Sequence, residues 1–166
     1  MKIYLDMDGV IADFFGSIEK KFNIDHWKQL DDPVLAIEGF RNTDWFYTLK
    51  PFDTSAKLVE AARNIAGYNG YGICSSPITN DDHNSGYWKR RWLEDNGFMP
   101  KVKNFIITQE KWKFATEEIT GEPNILVDDK FDNITRWRAA GGIGLRYQAN
   151  ESDIDLLIKD MIDCYS

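Results

Sequence analysis

Short uninterrupted runs of apolar residues punctuate the chain. They occur at the N-terminus up to Leu5, at Tyr71-Gly72-Ile73-Cys74, from Lys103 to Ile107, at Asn124-Ile125-Leu126-Val127 and from Ile143 to Tyr147. Their length and lack of a polar face are those of strands covered on both sides in a parallel sheet. Between them apolar residues recur at helical spacing. Phe14, Phe15, Ile18 and Phe22 lie within 12–23, and Leu58, Val59, Ala62, Ile65 and Ala66 follow Thr54-Ser55, which can cap a helix ending at Gly67. Trp88 and Trp92 mark a helix over 87–96 with Gly97 as its stop, a fourth helix spans 134–140 before Gly141-Gly142, and an amphipathic helix covers 152–164. Residues 79–85, with His83, are polar and read as a loop.

From Ile24 to Lys50 the rhythm breaks up. Asp31-Asp32-Pro33 and Glu38-Gly39 interrupt short helical pieces, and Trp27, Phe40, Trp45, Phe46 and Tyr47 crowd together. Such aromatics either form a local core or face a ligand. Strands alternating with helices predict an α/β fold, a doubly wound, Rossmann-like parallel sheet. The expected organisation is a single domain, with residues 1–13 and 52–166 as the core and 14–51 as a small helical cap insertion.

Composition narrows the class without changing this outline. A chain of 166 residues with 43% hydrophobic and 28% charged residues is globular, and no apolar run is long enough to span a bilayer. The start of the chain lacks the pattern of a secretory signal, so a cytoplasmic protein is expected. Cys74 and Cys164 are the only cysteines, which suggests neither a disulfide framework nor a thiolate metal site. A net charge of -7 argues against stable nucleic-acid binding. It still allows a small anionic substrate where a cation and a few lysines reverse the local field. A homodimer is left open.

Candidate chemistry sits where strands stop. Asp6 and Asp8, one residue apart at the end of the first strand, share a face with Met7 turned away, and Gly9 lets the chain bend. Two carboxylates so placed either raise a pKa or recruit a cation. The plain alternative is a solvated strand end. Ser75-Ser76-Pro77 ends the second strand, and Asp128-Asp129, with Asp132 beyond, ends the fourth. Right-handed crossovers bring all these termini to one edge of the sheet. His83 could ligate a metal, but with only His26 as a distant second histidine it reads as solvated.

The stretch Asp6-Met7-Asp8-Gly9-Val10-Ile11-Ala12-Asp13-Phe14 resembles the first motif of the haloacid dehalogenase (HAD) superfamily, and more closely its 5'(3')-deoxyribonucleotidase branch. The resemblance continues through Ile73-Cys74-Ser75-Ser76-Pro77-Ile78, where that branch shows Thr-Ser, through Ile107-Thr108-Gln109-Glu110-Lys111, and through Ile125-Leu126-Val127-Asp128-Asp129. It implies a HAD-like fold and a Mg²⁺-dependent phosphatase of deoxynucleoside monophosphates. Asp6 would be the nucleophile forming an aspartyl-phosphate, and Asp8 the proton donor and acceptor, also ligating the metal through its backbone carbonyl. Ser75, Ser76, Lys111 and Lys89 would bind phosphate, with Lys113 the alternative to Lys111. Asp6, Asp8 and one of Asp128 and Asp129 would hold Mg²⁺. Trp45-Phe46-Tyr47-Thr48-Leu49-Lys50-Pro51 resembles the aromatic stretch of that branch, which makes Phe14, Trp45 and Phe46 candidate substrate contacts. Another small phosphate ester, a nucleic-acid end, or a non-catalytic binding module on the same fold are the competing readings.

Overall fold

The apolar runs pair side by side. In the computed structural model, which describes residues 1–166, β1 (Ile3–Leu5), β2 (Tyr71–Ser75), β3 (Phe105–Ile107), β4 (Ile125–Asp128) and β5 (Ile143–Arg146) form one parallel sheet in the order β3-β2-β1-β4-β5. β1 is central, with Leu5 opposite Ile73 on one side and Val127 on the other. The order reverses at β1, so the crevice beyond its C-terminal end is where a fold of this type accepts a ligand.

Both faces are covered, which is why the strands read as continuous apolar runs. Ile3, Leu5, Ile73, Ile125 and Val127 point into a large core with Leu58, Val59, Trp92, Leu157 and Met161. Tyr4, Cys74 and Leu126 point the other way, onto Ile134 and Trp137. Those partners belong to α3 (Ser55–Gly70), α4 (Asp82–Asp95), α5 (Phe131–Ala139) and α6 (Ile154–Tyr165). Ahead of them come α1 (Phe14–Phe22), α2 (Pro33–Glu38) and two short 3₁₀ turns at Trp27–Gln29 and Trp45–Thr48. Segment 14–51 carries these short helices and turns, and its inward residues Phe14, Ile18, Phe40, Trp45, Phe46 and Leu49 join the same core as the sheet. No helix is long and apolar enough to cross a membrane.

Several boundaries differ from the sequence expectation, each for a local reason. The helix expected from Tyr87 begins at Asp82. Its hydrophilic first turn resembles a loop in sequence, but Asp81 accepts both the Ser85 backbone N–H at 2.8 Å and the Ser85 hydroxyl at 3.0 Å. α5 begins at Phe131 rather than Ile134, after the Lys130 N–H donates to Asp128 Oδ1 at 2.9 Å. α1 starts at Phe14 because Asp13 caps it by accepting from the Gly16 N–H at 3.0 Å. Thr54 makes no side-chain cap; Ser55 instead donates to Ile11 O at 2.7 Å, a buried bond that ties α3 to the turn after β1. α3 also continues past Gly67, where φ 71° and ψ 171° kink it, to Gly70.

Tyr4 of β1 stands opposite Gly72 of β2, and a Cβ on Gly72 would lie 2.6 Å from the Tyr4 ring and 2.9 Å from Asn104 O. Neither neighbour can yield, one being a packed ring and the other backbone. Gly72→Ala is expected to destabilise the fold by about 1–3 kcal/mol, typical of overpacking. Urea denaturation followed by circular dichroism checks this, and an unchanged midpoint would contradict the packing at the centre of the sheet.

Candidate active site

Asp6 extends β1 by one residue, its N–H donating to Val127 O at 2.9 Å. The chain then closes a tight turn in which the N–H groups of Val10, Ile11 and Ala12 all donate to Met7 O at 3.1, 2.9 and 2.9 Å. Met7 is buried in the core, so the turn leaves Asp6 and Asp8 toward the crevice. Gly9, at φ 83°, is required twice over. Its backbone is left-handed, and a Cβ there would lie 2.4 Å from Asp129 Oδ2. The turn after β1 and the turn after β4 therefore press directly together.

Two buried lysines cross-link the carboxylates. Lys111, from the 3₁₀ turn Lys111–Phe114 after β3, lies 3.0 Å from Asp6 Oδ1 and 2.7 Å from Asp128 Oδ2. Lys89, from α4, lies 3.1 Å from Asp8 Oδ2 and donates at 2.7 Å to both Ser75 Oγ and Ser76 O. Its ammonium also sits 4.3 Å from the centre of the Phe46 ring. Lys113 is exposed and pairs with Glu110, so the structure places Lys111, not Lys113, against Asp6.

Asp128 and Asp129 are adjacent but differently committed. Asp128 accepts from Lys111 and from Asn133 Nδ2 at 3.0 Å through Oδ2, and from the Lys130 N–H at 2.9 Å through Oδ1. The Asp129 carboxylate has no protein donor; only its main-chain oxygen is used, by Arg146 Nε at 3.1 Å. Asp6, Asp128 and Asp129 each present a carboxylate oxygen within 4.8 Å of the others. Asp8 is outside this trio and faces Lys89, and no donor reaches its buried Oδ1.

The electrostatics follow from this count of charges. Four carboxylates, Asp6, Asp8, Asp128 and Asp129, face two ammoniums, and burial removes the water that would otherwise screen them. Burial and the Asp6, Asp128 and Asp8 charges push Asp129 up to about 8. Burial raises Asp8 and Asp128 as well, with Asp6 adding repulsion and the lysines opposing. Burial works against a charge on Lys111 too, yet Asp6 and Asp128 outweigh it and hold the ammonium above its ordinary range. The surplus negative charge, the all-oxygen donor set and the uncommitted Asp129 fit a hard divalent cation such as Mg²⁺. Asp6, Asp129 and Asp128 would hold it, with Asp129 the freest of the three.

Of the residues singled out in sequence, Asp6, Asp8, Ser75, Ser76, Lys89, Lys111, Asp128 and Asp129 converge here. Phe14, Trp45 and Phe46, the candidate substrate contacts, are packed inward. They are 6%, 8% and 2% exposed, because Phe14 packs on Phe15, Trp45 and Phe46, and Trp45 stacks on Phe40 with ring centres 4.0 Å apart. Only Phe46 touches the site, beneath Lys89. Asp132 pairs with Arg136 on the surface, and His83 is exposed. Asn133 was not picked out in sequence; its position five residues after Asp128, on the first turn of α5, is the signal that finds it.

No protein-family profile matches the chain. It is 24% identical to the mitochondrial 5'(3')-deoxyribonucleotidase of Mus musculus over 156 residues, covering 80% of this chain and 66% of that protein. Against the mitochondrial 5'(3')-deoxyribonucleotidase of Homo sapiens it is 22% identical over 156 residues, with 80% and 63% covered. The chain thus spans just under two thirds of the length of these curated relatives. A hydrolase from Streptococcus pneumoniae superposes with a TM-score of 0.50 at 14% identity, over 96% of this chain and 97% of that one. The sheet order and this superposition show an α/β, Rossmann-like parallel fold, with the four strand-end motifs gathered at its C-terminal edge. Within that fold its sequence similarity is to the deoxyribonucleotidases.

The Asp129 carboxyl gives the site a pH signature. A free carboxyl titrates near about 4, so between there and about 8 the folded protein holds a proton that the unfolded chain has lost. That contribution to stability is complete below about pH 4 and fades as pH rises through 8. A cation competes with the proton, so thermal stabilisation by millimolar Mg²⁺ is expected to be larger at about pH 8.5 than at about pH 5.5. Asp129→Asn should remove most of it. Equal Mg²⁺ shifts at both pH values, or an undiminished shift in the variant, would rule out the trio as the cation site.

Proposed function

We propose that this chain is a Mg²⁺-dependent phosphatase of deoxynucleoside monophosphates that works through an aspartyl-phosphate on Asp6. The observation that carries the reading is the pairing of Lys111 with Asp6 Oδ1, beside an Asp8 whose buried Oδ1 has no donor. Lys111 holds one oxygen of Asp6 and leaves the other for in-line attack on phosphorus. As the phosphorus–oxygen ester bond breaks, the leaving oxygen takes a proton from Asp8, whose raised pKa suits an acid. Asp8 then removes a proton from water, which attacks phosphorus and frees Asp6 and inorganic phosphate.

The remaining groups position the phosphoryl oxygens. Ser75 Oγ accepts from Lys89, which leaves the hydroxyl hydrogen to donate to a phosphoryl oxygen, and the Lys89 ammonium lies alongside. Such fixed donors in a site shielded from water are the main source of rate in phosphoryl transfer. Mg²⁺ bound at Asp6, Asp128 and Asp129 would supply further neutralisation of the transferring group.

The nucleotide assignment is supported by the similarity to mitochondrial 5'(3')-deoxyribonucleotidases and by the motif-one continuation through Asp13-Phe14. A second reading, another small phosphate ester, is favoured by one observation: Phe14, Trp45 and Phe46 are packed away and offer no open stacking surface for a base. Phosphate release from dUMP, UMP and a panel of sugar and aryl phosphates separates the two. The expected outcome is Mg²⁺-dependent hydrolysis with dUMP preferred over UMP, abolished by EDTA. Asp6→Asn should lower kcat by several orders of magnitude while the variant stays folded. Turnover near wild type in Asp6→Asn, or undiminished activity in chelator, would overturn the mechanism, and a better non-nucleotide substrate would move the assignment to the second reading.

A further inference from the structure

One buried carboxylate outside the cluster takes part in no ion pair. Asp81 is 5% exposed and immediately precedes α4, and none of the ion pairs of the protein includes it. Both of its oxygens are nevertheless filled by neutral donors. Oδ1 accepts from the Asn42 N–H at 3.1 Å, and Oδ2 accepts from Ser85 Oγ at 3.0 Å and Asn84 Nδ2 at 3.1 Å. Ser85 Oγ in turn accepts from the Ile78 N–H at 3.1 Å, and Asn84 Nδ2 also donates to Thr43 O at 2.9 Å. Arg41 Nε adds a parallel tie to Thr79 O at 2.6 Å. Asn42 and Asn80 both adopt left-handed backbone, at φ 58° and φ 60°.

A buried carboxyl met only by neutral donors is costly unless its geometry is held closely. What this one joins accounts for its retention. On one side lies the 40–43 segment, whose neighbours Trp45 and Phe46 make the aromatic layer beneath Lys89. On the other lies the loop 76–80 that follows Ser75, and the first turn of α4, which carries Lys89 to Asp8 and Ser75 two turns later. We infer that Asp81 is a positioning residue that locks the 40–48 segment to the Ser75-Ser76 loop and α4, so that whatever part of a substrate meets that segment is registered against the phosphate site. It touches no reacting atom. Its effect falls on recognition of the leaving group, and this rests on the phosphatase reading.

An Asp81→Asn exchange keeps the shape but offers an amide N–H₂ where one set of donors needs an oxygen. The expected result is a KM for dUMP raised about tenfold or more, as for loss of a buried hydrogen bond to a charged group, with kcat changed much less. For p-nitrophenyl phosphate, whose leaving group is small, kcat/KM should stay within about threefold of wild type. Asn84→Ala, which breaks the Thr43 tie without emptying the carboxylate, should do the same more mildly and guards against a variant that fails to fold. A uniform loss on both substrates in both variants would reduce Asp81 to a stabilising residue and overturn the inference. Amide hydrogen exchange provides the readout that does not need activity: Asn42 and Ile78 should lose protection together in Asp81→Asn while the β1 and β4 amides keep theirs. Unchanged or independent exchange at the two amides would overturn the linkage, even if wild-type protein hydrolysed no phosphate ester and the phosphatase reading itself had failed.

Discussion

Four carboxylates gathered on two buried ammoniums are the constraint around which this molecule is arranged. Each charge removed from water costs several kcal/mol unless it is closely paired, so Lys111 and Lys89 cannot be placed loosely. Lys111 reaches Asp6 and Asp128 from the turn after β3, and Lys89 reaches Asp8 and Ser75 from α4. These two side chains tie the ends of β1, β2 and β4 together across the crevice. The pairing is incomplete by two positive charges, and the incompleteness is concentrated at Asp129. A site with a standing deficit of that size is disposed to take up a cation or protons.

The aromatic layer acquires its meaning from the same charges. Phe46 lies under the Lys89 ammonium, Phe14 packs on Phe46, and Trp45 stacks on Phe40 behind them. Together they form an apolar floor that lowers the local dielectric and so strengthens every ionic contact above it. The cation–π contact at Phe46 compensates part of the desolvation of Lys89. The residues that looked in sequence like a ligand-facing surface thus support the site from beneath. Of the three, Phe46 alone meets the site, through the Lys89 ammonium.

Close approach of backbone is the other structural device. The turn after β1 can meet Asp129 only because Gly9 has no side chain, and β1 can lie against β2 only because Gly72 leaves room for the Tyr4 ring. Both glycines serve the same end, bringing strand termini near enough for their carboxylates to share counter-charges. The rigidity of the Met7 turn, with three N–H groups converging on one carbonyl, holds Asp6 and Asp8 at a fixed separation. Preorganisation of this kind is what the proposed phosphoryl transfer would require, since that reaction needs alignment more than elaborate covalent chemistry.

By itself the sequence determined the five strands, the parallel α/β class and the acids and hydroxyls at the strand ends, because these depend on local periodicity and on chain order. Alternation of strand and helix dictates which ends meet, so Asp6, Asp8, Ser75 and Asp128 could be brought together without coordinates. Helix starts were less legible. Asp81 through Ser85 is as hydrophilic as a loop, and only the long-range demand of Asn42 and Ile78 on Asp81 and Ser85 explains why it folds as the first turn of α4. Tertiary structure alone distinguished Lys111 from Lys113 and Asp128 from Asp129, since neighbours in sequence differ here only in what surrounds them. It also turned Phe14, Trp45 and Phe46 inward, because a large apolar ring carries no local signal of direction: whether it meets a core or a ligand is decided by which side of the chain finds a partner to pack against.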